Sequence, residues 1–144
     1  ADGTAKSITF QNLDQNFGSE DERFVGTRAD DSFDGEGGAD TFLLRNGNDT
    51  ATGGADADSF IFDARYVGTG SEHTVTDLSF GEGDQLVLRF FDGGTTTVGS
   101  EEELLALDSE SFASVSDTGA STLLTLVNAG GDSMQLELFQ TTIV

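Results

Sequence analysis

Residues from Gly26 to Ile61 form four consecutive nine-residue units. Written in register, the units are GTRADDSFD, GEGGADTFL, LRNGNDTAT and GGADADSFI. Each has an acid at its sixth position, in order Asp31, Asp40, Asp49 and Asp58. Each has an apolar residue two places later, in order Phe33, Phe42, Ala51 and Phe60. This fixed phase argues against a disordered acidic linker, whose composition alone would require no such order.

The composition of each unit predicts a turn followed by a short strand. The first six positions are rich in Gly, Asn and Asp, which allow tight turns of the backbone. The last three positions predict a strand whose middle side chain points inward, because successive residues alternate faces. Two units then form one coil of eighteen residues. A weaker unit, FGSEDERFV from Phe17, places Glu22 at the acid position and Phe24 at the apolar position.

Stacking of these coils brings acids together along the edges. Asp40 is predicted to lie over Asp58, and Asp31 over Asp49. Neighbouring coils are about 4.8 Å apart, and two carboxylates at that distance repel by roughly 3 kcal/mol at an effective dielectric near 20. A cation must therefore sit between them, and dense oxygen ligands suit Ca²⁺. Zinc is poorly served, because the chain has no Cys and its one histidine, His73, is expected to be solvated in a surface turn.

The units resemble the nonapeptide G-G-x-G-x-D-x-U-x, with U apolar, of RTX (haemolysin-type) calcium-binding proteins. The resemblance implies an all-β fold, a right-handed parallel β-roll closed by a C-terminal β-rich cap with one short helix. It also implies Ca²⁺ as the bound ion, with Asp31, Asp40, Asp49 and Asp58 as carboxylate ligands. The carbonyls that complete each shell would be those of Gly26, Arg28, Gly35, Gly37, Gly53 and Ala55. For Asp77 and Asp84 a closing calcium site remains open, while Asp84 equally suits a turn.

Departures from the repeat pattern rank the predicted sites. The third unit opens with Leu44 and Arg45 where two glycines belong. The site that uses Asp40 and Asp58 is therefore predicted to be the best, and the site of Asp31 and Asp49 the poorer one. A further site would pair Glu22 with Asp40.

The chain divides into three predicted parts: a lead-in over residues 1–16, the calcium-binding roll over 17–62 and a C-terminal β-rich capping region over 63–144. Alternating patterns predict strands over 7–11, 74–78 and 85–91, with a loop over 92–99. Ser100 followed by three glutamates forms a capping box, which favours a short helix to about Leu107 over a further cation site. A hairpin of 122–127 and 133–139 surrounds NAGGD.

The residues that follow the inward positions predict an apolar stripe on one outer face of the roll. Val25, Leu43 and Ile61 are eighteen residues apart and fall on one sheet, whereas Asp34 and Thr52 fall on the other. We expect this stripe to be covered. The expected cover is the C-terminal half, with the following leucines: Leu104, Leu105, Leu107, Leu124, Leu126, Leu136 and Leu138. The competing possibility for the cover is a partner domain of a larger protein.

Charge limits the classes of partner. The net charge of -21 excludes ordinary nucleic-acid binding and argues against anionic membranes and polyanionic sugars. No apolar stretch of membrane-spanning length occurs. A serine hydrolase would need a histidine base and a G-x-S-x-G motif, and only His73 is present. Paired carboxylates for glycoside hydrolysis are not excluded by number, but calcium already accounts for the regularly spaced ones.

These observations predict a non-enzymatic, calcium-dependent module of a larger secreted bacterial protein. The expected partners are the covalently attached domains of that protein, and the resemblance implies type I secretion to the extracellular space. The alternative is a calcium-dependent carbohydrate-binding module that takes a neutral or cell-surface glycan, through calcium or through the loop of Arg65 and Tyr66. The absence of Trp and the single Tyr weigh against that alternative.

Overall fold

A computed structural model describes residues 14–16, 21–27, 29–66, 71–91, 93–117, 121–128 and 130–140. The predicted strand over 7–11 and the predicted ligand Arg28 lie outside these residues. In chain order the strands are β1 (Asp14–Asn16), β2 (Arg23–Val25), β3 (Ser32–Asp34), β4 (Thr41–Leu44), β5 (Thr50–Thr52), β6 (Ser59–Asp63), β7 (Ser71–Leu78), β8 (Gln85–Arg89), β9 (Thr95–Val98), β10 (Ala113–Asp117), β11 (Thr122–Val127) and β12 (Ser133–Gln140). Helix α1 (Glu101–Ala106) lies between β9 and β10.

Consecutive strands of the repeat region enter opposite sheets. The first sheet has the order β1-β3-β5-β7-β12-β11-β10, and the second has the order β2-β4-β6-β8-β9. Strands β1 to β8 pair in parallel within their sheets. Phe42 pairs with Phe24 on one side and Phe60 on the other, each eighteen residues away. The predicted all-β parallel roll with coils of eighteen residues is confirmed.

The inward positions of the repeats form the core of the roll. Phe24, Phe42 and Phe60 stack as a column, with ring centroids 4.8 and 5.0 Å apart and nearly parallel planes. Phe33 lies tilted against Phe24 at 5.4 Å. Ala51 is buried at the one unit that lacks an aromatic residue. These side chains are buried as the strand alternation requires.

Strands β7 and β8 belong to further coils of the same roll, and the spacing of these strands departs from the nine-residue period. Thr74 and Val75 align with Thr50 and Ala51. In the second sheet, Leu86 aligns with Phe60. His73 and Asp84 therefore occupy the acid positions of their coils, 24 and 26 residues after Asp49 and Asp58. The roll extends beyond the four units that the periodicity identifies.

The C-terminal half continues both sheets and shares one core with the repeats. β12 adds in parallel to β7, β11 and β10 follow in antiparallel order, and β9 adds to β8. The buried leucines of this half belong to the same hydrophobic cluster as Phe42 and Phe60. Leu43 and Ile61 are buried on the outer face but are not members of that cluster.

The predicted docking of the C-terminal leucines on the outer stripe is therefore wrong, although the expected burial of Leu43 and Ile61 is confirmed. Leu105, one of the proposed docking residues, is half exposed. The leucines instead pack in the interior between the two sheets. This interior is larger than the repeats alone would give, because β12 adds to the edge of one sheet and β9 to the edge of the other. The three predicted domain boundaries stay a prediction.

Three strands, β1, β9 and β10, were not predicted, and two other elements were predicted correctly. The predicted loop over 92–99 is wrong, since Thr95–Val98 pairs antiparallel with β8 and buries only Val98, so its sequence lacks an apolar alternation. β10 was not predicted because its alternating apolar residues, Ala113 and Val115, are small and only partly buried, which makes the pattern weak. The hairpin of β11 and β12 is confirmed. Helix α1 is capped as predicted: Ser100 Oγ accepts from the Glu103 amide at 3.1 Å, while Glu103 Oε1 accepts from Gly99 N at 2.8 Å. Among the described residues, no helix has the length and apolar character needed to cross a membrane.

Candidate calcium centre

The acid positions of the coils form two ladders, one on each edge of the roll. One ladder consists of Glu22, Asp40, Asp58 and Asp84; the other consists of Asp31, Asp49 and His73. Within each ladder the main-chain N–H of one residue donates to the side chain of the next. Glu22 N donates to Asp40 Oδ1 at 2.8 Å, Asp40 N to Asp58 Oδ1 at 2.9 Å and Asp58 N to Asp84 Oδ1 at 2.9 Å. On the other edge, Asp31 N donates to Asp49 Oδ1 at 2.9 Å. The predicted stacking of Asp40 over Asp58 and of Asp31 over Asp49 is confirmed.

The second carboxylate oxygen of three aspartates is buried without a partner. Oδ2 of Asp40, Asp49 and Asp58 receives no hydrogen bond, and these residues are 1%, 1% and 0% exposed. Both carboxylate oxygens of Glu22 are buried without a hydrogen-bond partner as well. Since an unpaired buried charge is strongly unfavourable, the ladder fits a cation that would contact the oxygens the backbone leaves unused.

The pKa values of the ladder aspartates lead to the same conclusion, that a cation fits between these carboxylates. Burial, together with the neighbouring charges of Glu22 and Asp21, raises the pKa of Asp40 to about 7. Burial likewise raises the pKa of Asp49 and of Asp58 to about 7, with added repulsion from acids of adjacent coils. In the absence of a cation, burial and neighbouring charges therefore disfavour the ionised form of these carboxylates.

The glycine corners bring main-chain oxygens close to these carboxylates. A Cβ at Gly35 would overlap the Asp40 carboxylate and lie 2.7 Å from the Gly53 carbonyl oxygen. A Cβ at Gly53 would overlap the Asp58 carboxylate in the same way. At Gly26 a Cβ would lie 3.3 Å from Asp31 Oδ2 and 3.4 Å from Asp49 Oδ2. At Gly35 a carboxylate oxygen and a main-chain carbonyl oxygen converge, and at Gly26 and Gly53 carboxylate oxygens approach the backbone, because glycine has no side chain.

This donor set matches a hard cation. Within the described part of the chain, no three His, Cys, Asp or Glu side chains cluster to form a metal site by themselves. Main-chain carbonyls near the ladders, such as the Gly53 carbonyl beside Gly35, offer further oxygen ligands. A mixture of carboxylate and carbonyl oxygens is what Ca²⁺ prefers.

Comparison with known protein families agrees with the repeat pattern. The family model for the RTX calcium-binding nonapeptide repeat matches in four copies, over residues 18–51 and 41–64. Residues 18–64 are RTX calcium-binding nonapeptide repeats. Such repeats are calcium-binding motifs, so Ca²⁺ is the ion that fits the ladders.

Two further comparisons add little to the RTX assignment. No significant match occurs among curated proteins. Among solved structures, the chain is similar to the solution structure of a subunit of the mannuronan C5-epimerase from Azotobacter vinelandii. The two are 21% identical over 92% of this chain and 74% of that one, with a TM-score of 0.31.

The predicted ligands of the RTX repeats differ in whether their oxygen atoms already accept hydrogen bonds. Asp31 accepts from Thr27 N at 2.6 Å through Oδ2, in contrast to the unpartnered Oδ2 of Asp40 and Asp58. Gly37 N donates to the Gly35 carbonyl at 2.9 Å, and Ala55 N donates to the Glu36 carbonyl at 2.8 Å. The assignment of individual ligands in the repeats stays a prediction.

Asp77 and Asp84 hold main-chain amides at the end of the RTX repeats. Asp77 accepts from Gly53 N at 2.9 Å and from Gly54 N at 2.7 Å. Asp84 accepts from Asp58 N at 2.9 Å and from Ser79 N at 2.8 Å, which closes the turn of Phe80–Glu82. Burial raises the pKa of Asp84 to about 6, aided by the charges of Asp77 and Glu82. Both oxygens of each carboxylate therefore have a structural role, and calcium binding by them stays a prediction.

The expectation that His73 is solvated is wrong. His73 is 1% exposed, its Nδ1 accepts from Asp49 N at 3.2 Å, and its Nε2 is buried without a partner. Burial lowers its pKa to about 4. The imidazole therefore fills an acid position of the RTX ladder without negative charge. The sequence signal for this position was the run His73-Thr74-Val75, which matches the acid-x-apolar order of the repeats outside their period.

The raised pKa values predict an acid-induced gain of structure in chelator. With EDTA present, Asp40, Asp49 and Asp58 have a pKa of about 7 when folded, against 3.8 for the free group. The folded state then binds more protons than the unfolded state between these values, so stability rises as pH falls through this range. Far-UV circular dichroism in EDTA should show β structure increasing from about pH 8 to about pH 5. A spectrum that does not change with pH would contradict the proton occupancy inferred for these carboxylates.

Proposed function

We propose that this chain is a calcium-triggered folding module of a larger secreted bacterial protein, and that it serves the secretion, folding or stability of that protein. The observation that carries the proposal is the set of buried carboxylate oxygens on Asp40, Asp49 and Asp58 that have no partner. A fold that buries these groups is disfavoured without a cation and stabilised by one.

The residues of the chain would carry out the switch as follows. Without calcium, repulsion within each ladder opposes the stacking of coils and leaves the chain unfolded. With calcium, the unused oxygens and the carbonyls of the glycine corners share one ion, and the stacked coils bury the phenylalanine column. Calcium bound only by the folded state shifts the equilibrium by mass action. The partners of this module would be the domains to which it is covalently attached.

RTX repeats belong to secreted bacterial proteins, and the switch fits that environment. Cytosolic calcium is low, so the chain would remain unfolded and able to pass through a secretion channel. Extracellular calcium would then fold it outside the cell. The proposal includes no reaction, since the site as built has carboxylates committed to a cation and a histidine committed to a main-chain amide.

A calcium titration of the folded fraction tests this proposal. We expect a cooperative transition with a midpoint on the order of 10⁻⁴ to 10⁻³ M, the range of extracellular calcium modules. The matched control is Mg²⁺ at the same concentrations, which should not fold the chain, because it requires a smaller octahedral shell and retains its waters. A midpoint below about 10⁻⁷ M, or a folded spectrum without any divalent cation, would contradict a switch between compartments.

A further inference from the structure

Half of the basic residues of this acidic chain gather at one place. Arg45, Arg65 and Arg89 are three of six basic residues in the sequence. Arg45 and Arg65 lie against the only tyrosine, Tyr66, Arg65 also lies against the exposed Phe90, and Arg89 precedes Phe90 at the end of β8. We call these five residues the arginine–aromatic patch. Arg45 Cζ lies 4.7 Å from the centre of the Tyr66 ring, and Arg65 Cζ lies 6.0 Å from that ring and 4.6 Å from Phe90. Cations and rings thus alternate along the surface.

The patch is held by rigid elements of the roll. Its members lie where β4, β6 and β8 end, and Arg89 is aligned with Asp63 in the second sheet. Two asparagines fix the intervening turn: Asn46 Nδ2 donates to the Tyr66 carbonyl at 2.9 Å, and Asn128 Nδ2 donates to the Ala64 carbonyl at 3.3 Å. A site built on such fixed elements needs little ordering when a ligand binds.

Among the described residues, Asp63 is the acid that forms an ion pair with an arginine of the patch. Asp63 pairs with Arg65 at 2.7 Å, and it is buried while the Arg65 side chain is 62% exposed. Burial alone would raise the pKa of Asp63, but the hydrogen bonds and charge of Arg65 outweigh that effect and lower the pKa below its ordinary value. Arg45 Nε is buried without a partner. The guanidinium group that an anionic ligand can reach is therefore that of Arg65, which stays exposed beside its pair with Asp63.

The backbone of Phe90 has a conformation that is unfavourable for a bulky residue. Its φ angle is 65°, in the left-handed region that bulky side chains rarely adopt, and its side chain is 44% exposed. Gly94 O accepts from Phe90 N at 2.6 Å and closes the tight connection between β8 and β9. A glycine would serve this backbone better. An exposed ring kept at a strained position suggests a role in binding.

We propose that the arginine–aromatic patch binds a carboxylate-bearing sugar, such as a uronic acid residue of an acidic oligosaccharide. Guanidinium groups match the planar geometry of a carboxylate, and the exposed ring of Phe90 offers an apolar face to the C–H groups of a pyranose. The net charge of the chain disfavours a long polyanion, but charges beyond about 8 Å are screened at physiological salt, so a short acidic segment can reach the patch. The negative net charge of the sequence therefore does not reveal the positive charge of this patch.

Titration calorimetry of the calcium-loaded chain with trigalacturonate tests the proposal. The fully methyl-esterified trimer, which keeps the sugar rings but lacks the charges, should bind at least about tenfold more weakly. Hexaglutamate provides a carboxylate ligand without a sugar and should also bind more weakly than trigalacturonate. Equal binding of the ester, or tighter binding of hexaglutamate, would overturn the assignment to acidic sugars, as would an absence of trigalacturonate binding.

Two variants separate binding from structure. Phe90→Gly should weaken trigalacturonate binding about tenfold while leaving the thermal midpoint unchanged or higher, because the strain at this φ angle is removed. Arg45→Gln should weaken binding to a similar extent. The matched control is Arg23→Gln, which removes one positive charge in β2 outside the patch and should not alter affinity. If Arg23→Gln weakens binding as much as the two patch variants, the effect is one of net charge and the proposed site is wrong.

Discussion

Chelation of calcium with EDTA is expected to unfold both halves of the chain in a single transition. Calcium removal leaves the buried oxygens of Asp40, Asp49 and Asp58 without a counter-charge. The RTX coils should then separate. The C-terminal half should follow, because β7 lies between β5 and β12 and the leucines of that half share one hydrophobic cluster with the phenylalanine column. We therefore expect that neither half keeps a closed core without the other.

Hydrogen exchange read by mass spectrometry checks this expectation segment by segment. In excess calcium, amides of β4, β6, β11 and β12 should be protected, and in EDTA all four should exchange together. Addition of calcium in excess of the chelator should restore the protection and serves as the control for irreversible damage. Retained protection of β11 and β12 in EDTA would show that the C-terminal half folds independently of the RTX repeats.

Replacement of one ladder carboxylate should reduce calcium affinity more at Asp40 than at Asp49. Asp40 lies between two acids of its ladder, Glu22 and Asp58, so its unpartnered oxygen can serve ions on both sides. Asp49 has the acid Asp31 on one side only, because His73 occupies the other. We expect Asp40→Asn to weaken calcium binding by at least about tenfold and Asp49→Asn by less, since ligand charge sets the affinity of such sites.

The two asparagine variants are matched controls for each other. Each retains an amide oxygen that can accept the main-chain N–H bonded by the native Oδ1, at Glu22 for Asp40 and at Asp31 for Asp49. The difference between them therefore reports the lost charge at each ladder. Titration calorimetry gives both affinities. Equal losses, or a larger loss at Asp49, would show that the imidazole of His73 does not weaken its ladder.

The regular part of the roll could be predicted because sequence period and coil geometry coincide there. The inward Phe42 and Phe60, the burial of Asp40 and Asp58 and their stacking all follow from an eighteen-residue coil. The hairpin of β11 and β12 and the cap of α1 are encoded by local signals, a Gly-rich turn and a serine followed by glutamate, and these signals do not depend on distant contacts.

The irregular part could not be predicted because insertions hide the repeat. His73 and Asp84 occupy ladder positions, but the longer spacings that precede them remove them from the nine-residue register. The fate of the apolar outer stripe depends on which sheet the later strands join, and such pairing is non-local. Likewise, the arginine–aromatic patch brings together Arg45, Tyr66 and Phe90 from three strand ends. No window of the sequence contains all of them.

The positions of the two long coils show where this architecture tolerates growth. Between Asp58 and Asp84 the coil has eight residues more than the eighteen of a regular turn, yet Leu86 still aligns with Phe60. Six of these eight residues lie between Asp58 and His73, and the other two lie between His73 and Asp84, at a corner where Gly81, Glu82 and Gly83 are exposed. A peptide inserted at this corner should leave strand pairing intact. A coil can thus become longer while its alignment with the neighbouring coil stays the same. This corner is therefore a suitable place to graft a foreign loop.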